Sequence, residues 1–206
     1  MEDKLKITKN MKNYDPLVIP LNKPIEELTL KETREYFEWY LSHIDERSDY
    51  LREKVSQGLN ISVDQLDFSF ESLKLIWKWF LEVAELEKTS FDFFKKNQQK
   101  DFSVFTHYVI RDIAMYVGKL FTMNSPIIKW TFITKPKSYV YVNEPILIGF
   151  IDDDPDYPKP FHPDLNPLAL VHICALSIMD NEQMENDLFD DCLRWKNWIP
   201  NEVDSE

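Results

Sequence analysis

The sequence predicts an α+β fold built on one core, and three observations carry that reading. Three amphipathic helical periods come first, the apolar period then shortens to that of strands, and helical signals return near the end. A parallel sheet would need strands and helices in alternation, and that order does not occur. At 206 residues the chain suits one domain with an appendage, and its 44% hydrophobic and 14% aromatic residues supply ample surface for a core. The expected division is an extended N-terminal arm over residues 1–25 and a single α+β domain over residues 26–206.

The arm is lysine-rich and then punctuated by Pro16, Pro20 and Pro24, with Leu17, Val18 and Ile19 between them. Thr29 and Glu32 form a T-x-x-E capping box, in which each side chain satisfies the other residue's free backbone amide. Phe37, Tyr40, Leu41, Ile44, Leu51 and Val55 then recur at helical spacing, and Gly58 is the expected C-terminal cap. A second helix is predicted from about Ser69 to Glu87, with Leu73, Ile76, Trp77, Phe80 and Ala84 on its apolar face. A third starts near Asp101 or Ser103 and carries Val104, Tyr108, Ile113, Val117 and Leu120 at i, i+3, i+4 spacing. Ile127 to Thr134, Tyr139 to Val142 and Pro145 to Ile151 read as extended segments of a small, mostly antiparallel sheet, with a turn at Lys135-Pro136-Lys137. Asn166-Pro167 is an N-cap and first-turn pair, predicting a helix from Pro167 to about Met179 and another within 182–197.

Composition excludes several classes. The three glycines, Gly58, Gly118 and Gly149, lie far apart, so the dinucleotide fingerprint, the P-loop, the kinase loop and the G-x-S-x-G elbow are all missing. Cys174 and Cys192 are expected as reduced, buried thiols, because the charged N-terminus carries no secretory signal and a cytoplasmic location is expected. No apolar run approaches the roughly 20 residues needed to span a bilayer. The net charge of −12 is unevenly placed: residues 1–140 carry 21 acidic and 21 basic side chains, and residues 141–206 carry 15 acidic and 3 basic ones. That asymmetry argues against nucleic-acid binding, which needs a basic stripe, and for a basic protein partner.

No constellation commits to a reaction. Asp152-Asp153-Asp154-Pro155-Asp156 resembles the start of a calcium loop, but the sixth and twelfth positions of an EF-hand would be Tyr157 and Pro163 in place of glycine and glutamate. His162-Pro163-Asp164 matches the tripeptide of J-domain co-chaperones without the two antiparallel helices that flank it there. His43, His107, His162 and His172 form neither H-x-x-x-H nor H-E-x-x-H, and no C-x-x-C exists. His43 with Arg47, and His107 with Arg111, share helix faces and read as surface or core-edge pairs. Asn60-Ile61-Ser62 fits a glycosylation sequon, which has no meaning in a chain that is not exported.

Two stretches carry a resemblance. Leu66-Asp67-Phe68-Ser69-Phe70-Glu71-Ser72-Leu73 is one; Ala114-Met115-Tyr116-Val117-Gly118-Lys119, followed by Lys129-Trp130, is the other. Together they resemble a loose group of small bacterial proteins, some of which look like immunity proteins of toxin systems. Lys119 departs from the glutamate that this pattern leads one to expect, and the long acidic C-terminal third is also a departure. The resemblance implies structural roles: Ser69 as a cap, Gly118 at a close approach of helix and sheet, and Trp130 in the core.

The leading functional expectation is therefore a non-catalytic binding protein without cofactor or metal, an immunity-type inhibitor that occludes a basic toxin or nuclease domain. Its expected contacts are Asp152, Asp153, Asp154, Asp156, Tyr157 and Phe161 on the loop, with Glu185, Asp187, Asp190 and Asp191 near the last helix. The rival readings are a metal-dependent hydrolase on the 152–156 aspartates and His162, and a structural subunit of a larger assembly.

Overall fold

Helix α1, Leu30–Leu59, starts where the capping box places it. Glu32 Oε2 accepts from the Thr29 amide at 2.8 Å, the Thr29 hydroxyl accepts from the Glu32 amide at 3.4 Å, and Lys23 Nζ adds an ion pair at 2.8 Å. The computed structural model describes residues 14–88, 100–153, 161–179 and 184–200. Hydrogen bonds from Lys23 and Thr29 hold the Glu32 carboxyl down at about 2, against an ordinary value of 4.5. A carboxylate depressed by folding stabilises the fold above its unfolded value and loses that effect as pH falls through its folded one. Glu32→Gln is thus expected to flatten the stability profile between about pH 4.5 and pH 2, which acid titration of the melting temperature would show.

The far end of α1 corrects one expectation. Asn60, not Gly58, is the cap, with φ 56° and ψ 47° and its amide donating to Ser56 O. Asparagine tolerates the left-handed conformation that ends helices. Gly58 lies two residues inside, where a Cβ would stand 2.5 Å from Trp79 Cδ1.

After the 3₁₀ turn Val63–Gln65, α2 spans Ser72–Val83 and α3 spans Val104–Asn124. The second helix does not run to Glu87. Ala84 turns extended, and Leu86–Lys88 (β1) pairs antiparallel with Lys100–Phe102 (β2), Leu86 opposite Phe102. The start of α3 offers the leaving chain its partners: Thr106 Oγ1 accepts from the Glu85 amide at 2.9 Å, and the Ser103 amide donates to Glu85 O at 2.8 Å. A short ladder therefore sits between the second and third helices, and among the described residues the strands form two separate pairs where one sheet was expected.

The second pair is β3, Lys129–Phe132, and β4, Pro145–Ile148, antiparallel with Trp130 opposite Leu147. The segment read as extended at 139–142 is instead a run of turns: the Val142 amide donates to Tyr139 O, the Glu144 amide to Tyr141 O, and Asn143 takes φ 65°. Helix α4, Pro167–Leu176, has the expected Asn166 cap, whose side chain accepts from the Ala169 amide at 3.0 Å. Helix α5 spans Asp187–Lys196. Among the described residues no helix is long and apolar enough to cross a membrane.

Helix α3 is the axis of this α+β fold. It is buried on almost every side from Val109 to Phe121 and packs against α1 and α4, and its charged Arg111, Asp112 and Lys119 each find a partner on a neighbouring segment. Trp77, Phe80, Tyr116, Phe121 and Phe150 fill the main core. Leu28, Tyr36, Tyr40, Ile44 and Met115 form a smaller cluster on the α1 side, and Trp130 packs against both. Leu17, Ile19 and Leu21 cover the smaller cluster, and Arg111 Nη1 ties the chain there through Leu17 O at 3.0 Å.

The two stretches that carried the resemblance touch each other. The Tyr116 hydroxyl accepts from the Phe68 amide at 3.0 Å, hydrogen-bonds Ser72 Oγ at 2.7 Å, and its ring stacks on Phe68. Gly118 lies under the Trp130 ring. Both stretches therefore act as a clasp between α2, α3 and β3.

Candidate docking face

Helix α4 reads PLALVHICAL, with no charged residue. Pro167, Leu170, Val171, Cys174 and Ala175 turn inward. Ile173 and Leu176 face out and are 59% and 39% exposed. A surface helix normally carries charge on its outer side; α4 carries none, and two large apolar side chains stand there instead.

Helix α5 lies alongside. Leu188, Phe189 and Cys192 anchor it against the core, with acids in its first turn and Arg194 and Lys196 in its last, the arrangement its dipole favours. Asp187 Oδ2 accepts from Ser177 Oγ at 3.2 Å and from the Met184 amide at 3.0 Å; Asp191 Oδ2 accepts from Cys174 Sγ at 3.1 Å. Asp191 also pairs with Arg194. These contacts hold the acidic start of α5 against the C-terminal end of α4, at Cys174 and Ser177.

The expected contact residues thus separate into groups. Glu185 and Asp190 are exposed, whereas Asp187 and Asp191 are half-buried and hold α5 to α4. On the loop, Asp152 and Phe161 exchange backbone hydrogen bonds at 2.8 and 2.9 Å, Asp153 is exposed, and the Phe161 ring is 64% exposed. Asp154, Asp156 and Tyr157 lie outside the described residues. The Ile151 amide donates to Trp198 O at 2.8 Å, so the base of the loop meets the C-terminal end of α5. Asp187 and Asp190 begin that ten-residue helix, about 15 Å long at 1.5 Å per residue. The acids therefore bracket α5 from its two ends and do not gather at one spot.

Trp195 and Trp198 are core anchors at this end: Trp195 stacks edge-on against Phe150 at 5.0 Å, and Trp198 against Trp195 at 4.9 Å. The acid excess of the C-terminal third is also matched by exposed Glu38, Glu46 and Glu53 along α1, although there Lys119 and Arg52 pair with Asp45 and Asp49. Sequence reasoning missed Ile173 and Leu176; the available signal was a helix without a charged residue.

Burial pushes the Cys174 thiol up to about 12, with Cys192 adding to the effect, and burial alone raises Cys192 further. Neither is a thiolate nucleophile near neutral pH. Among the described residues no three His, Cys, Asp or Glu side chains come together as a metal-holding group. His162 is exposed, and Asp164 accepts a hydrogen bond from the Tyr139 hydroxyl at 2.9 Å. His43 packs its ring at a tilt against Trp39, while its helix partner Arg47 turns into the interior. Asn60 of the sequon serves as the α1 cap.

The chain matches no protein-family model, no curated protein and no solved structure.

Proposed function

We propose that this is a non-catalytic binding protein of the immunity type, which occludes a basic protein partner through the outer face of α4 and the acidic residues beside it. The observation that carries the reading is the charge-free helix α4, with Ile173 and Leu176 exposed on it and the acidic first turn of α5 held at its C-terminal end through Ser177. An apolar centre with a charged rim is the general anatomy of a protein interface. The sign of the rim selects a basic partner and accelerates its approach. The resemblance to toxin-immunity proteins supports the same reading.

The test is recovery of partners from the native cell by the tagged protein, run in parallel with three variants. A basic protein that arrests growth when expressed alone, and is silenced by co-expression of this chain, is expected. Ile173→Lys with Leu176→Lys should lower its affinity by roughly 30-fold or more, the scale of a lost hot spot of about 2 kcal/mol. Glu185→Gln with Asp190→Asn should mainly slow association and weaken its salt dependence. Glu38→Gln with Glu46→Gln on α1 should change neither. A harmless partner, or one held equally well by the α4 variant, overturns the proposal.

A further inference from the structure

A second feature lies on the first turns of α4, beside the outer face and one helical turn from Ile173 and Leu176. There α3, α4 and the turns at 139–144 enclose a cleft of about 410 Å³, within the range of roughly 300–1,000 Å³ common for small-ligand sites. Arg111 of α3 and Glu144 of the turns both line it. Among the described residues neither belongs to an ion pair. Arg111 Nη1 is used by Leu17 O, but its Nε is buried with no partner. Glu144 Oε2 accepts from Asn166 Nδ2 at 2.5 Å, and burial pushes its carboxyl above its ordinary value despite that bond. Two opposite charges thus share one half-buried cleft, each without an ionic partner, a costly arrangement unless something else supplies the missing charges.

The walls fit that need. His107 and His172 stack with ring centroids 6.0 Å apart and planes 20° from parallel. Burial, then His107, lowers the His172 value below the usual 6.5, so this ring is neutral near pH 7 and has an N–H to donate. Ile110, Leu168 and Val140 supply apolar surface, and Val140, 75% exposed, stands at the mouth. We propose that this cleft binds a small zwitterion with a short methylene chain, its anionic group received by Arg111 and the histidines and its ammonium by Glu144. The apolar wall takes the chain between them. The cleft adjoins the docking face through Ala169 and His172, one helical turn from Ile173 and Leu176, but ligand binding to the chain alone and partner capture are separate measurements, so either reading can fail without the other.

The histidine ring signals of the full chain report the test, because His43 and His162 do not line this cleft and serve as internal controls. The probes are the ω-amino acids from glycine to 6-aminohexanoate, with butyrate and butylamine as single-charge controls. One chain length should shift His107 and His172 saturably and leave His43 and His162 unmoved. Butyrate and butylamine should each bind roughly tenfold more weakly, the loss expected for about 1.4 kcal/mol. Glu144→Gln keeps an acceptor for Asn166 and should reduce the preferred amino acid to the affinity of butyrate. Arg111→Gln risks loosening the chain at Leu17, so Val140→Trp, at an exposed position, is the second variant and should block all binding. No saturable shift with any probe, equal binding of butyrate and the best amino acid, or undiminished binding in Val140→Trp each overturns the proposal.

Discussion

Replacing Asp112 with alanine is expected to destabilise the fold by about 3–5 kcal/mol, the scale for removing one partner of a buried ion pair. Arg47 Nε and Nη2 donate to the two carboxylate oxygens of Asp112 at 3.0 and 2.5 Å, and the Tyr14 hydroxyl donates to Oδ2 as well. The two charged side chains are 4% and 1% exposed. Without Asp112 the guanidinium remains charged in the interior, keeping only the Asp15 carbonyl among these acceptors. Tyr14, whose hydroxyl burial already pushes well above its ordinary value, with Asp112 pushing the same way, loses its acceptor too. Tyr14→Phe removes only one hydrogen bond and should cost about 0.5–1.5 kcal/mol. The double replacement Arg47→Met with Asp112→Leu removes both charges and should recover most of the loss. Urea unfolding of the three variants separates these cases. A loss below about 1 kcal/mol for Asp112→Ala would mean that the pair is not buried as described.

This network also shows where sequence reading stops. Arg47 lies on α1 beside His43 and reads there as part of a surface or core-edge pair, because its partner is 65 residues away on α3. Local devices were legible: the Thr29 and Asn166 caps and the Ser103 start of α3 each act within four residues of themselves. The ladder of β1 and β2 was not, since Glu85 finds its partners at Ser103 and Thr106 and nothing near Glu85 announces them.

The candidate sites follow the same division. Acidic residues can be counted along a chain, but the roles of Asp187 and Asp191 in binding α5 to α4 depend on Ser177 and Cys174. The apolar outer face of α4 was present in the sequence as an absence of charge. The cleft was half visible: His107 and Arg111 share a helix face, while His172 and Glu144 reach it from other elements.

Gly118→Ala provides a prediction in which two effects of opposite sign compete. Alanine inside a helix should gain roughly 0.5–1 kcal/mol over glycine. At this position, however, an added Cβ would overlap the Trp130 ring, meeting Cζ2 and Cη2 closer than carbon atoms approach one another. Overpacking costs about 1–3 kcal/mol when neighbours are fixed, and Trp130 is fixed on several sides. Its ring meets Tyr40 edge-on at 5.5 Å, it lies in β3 opposite Leu147, and it joins the two clusters of the core. Displacing it would open the seam between α1 and the sheet as well as the contact with α3. The steric effect should therefore win, with a net loss of about 1–2 kcal/mol and more for Gly118→Val, where β-branching adds a stiff side chain in a helix. Trp130→Phe supplies the control, because a smaller ring leaves space for the methyl group. In that background Gly118→Ala should become neutral or stabilising, so the two substitutions couple by roughly 1–3 kcal/mol in a double-mutant cycle. Independent, additive losses would place the ring elsewhere and undo the clasp between α3 and β3 on which this part of the fold depends.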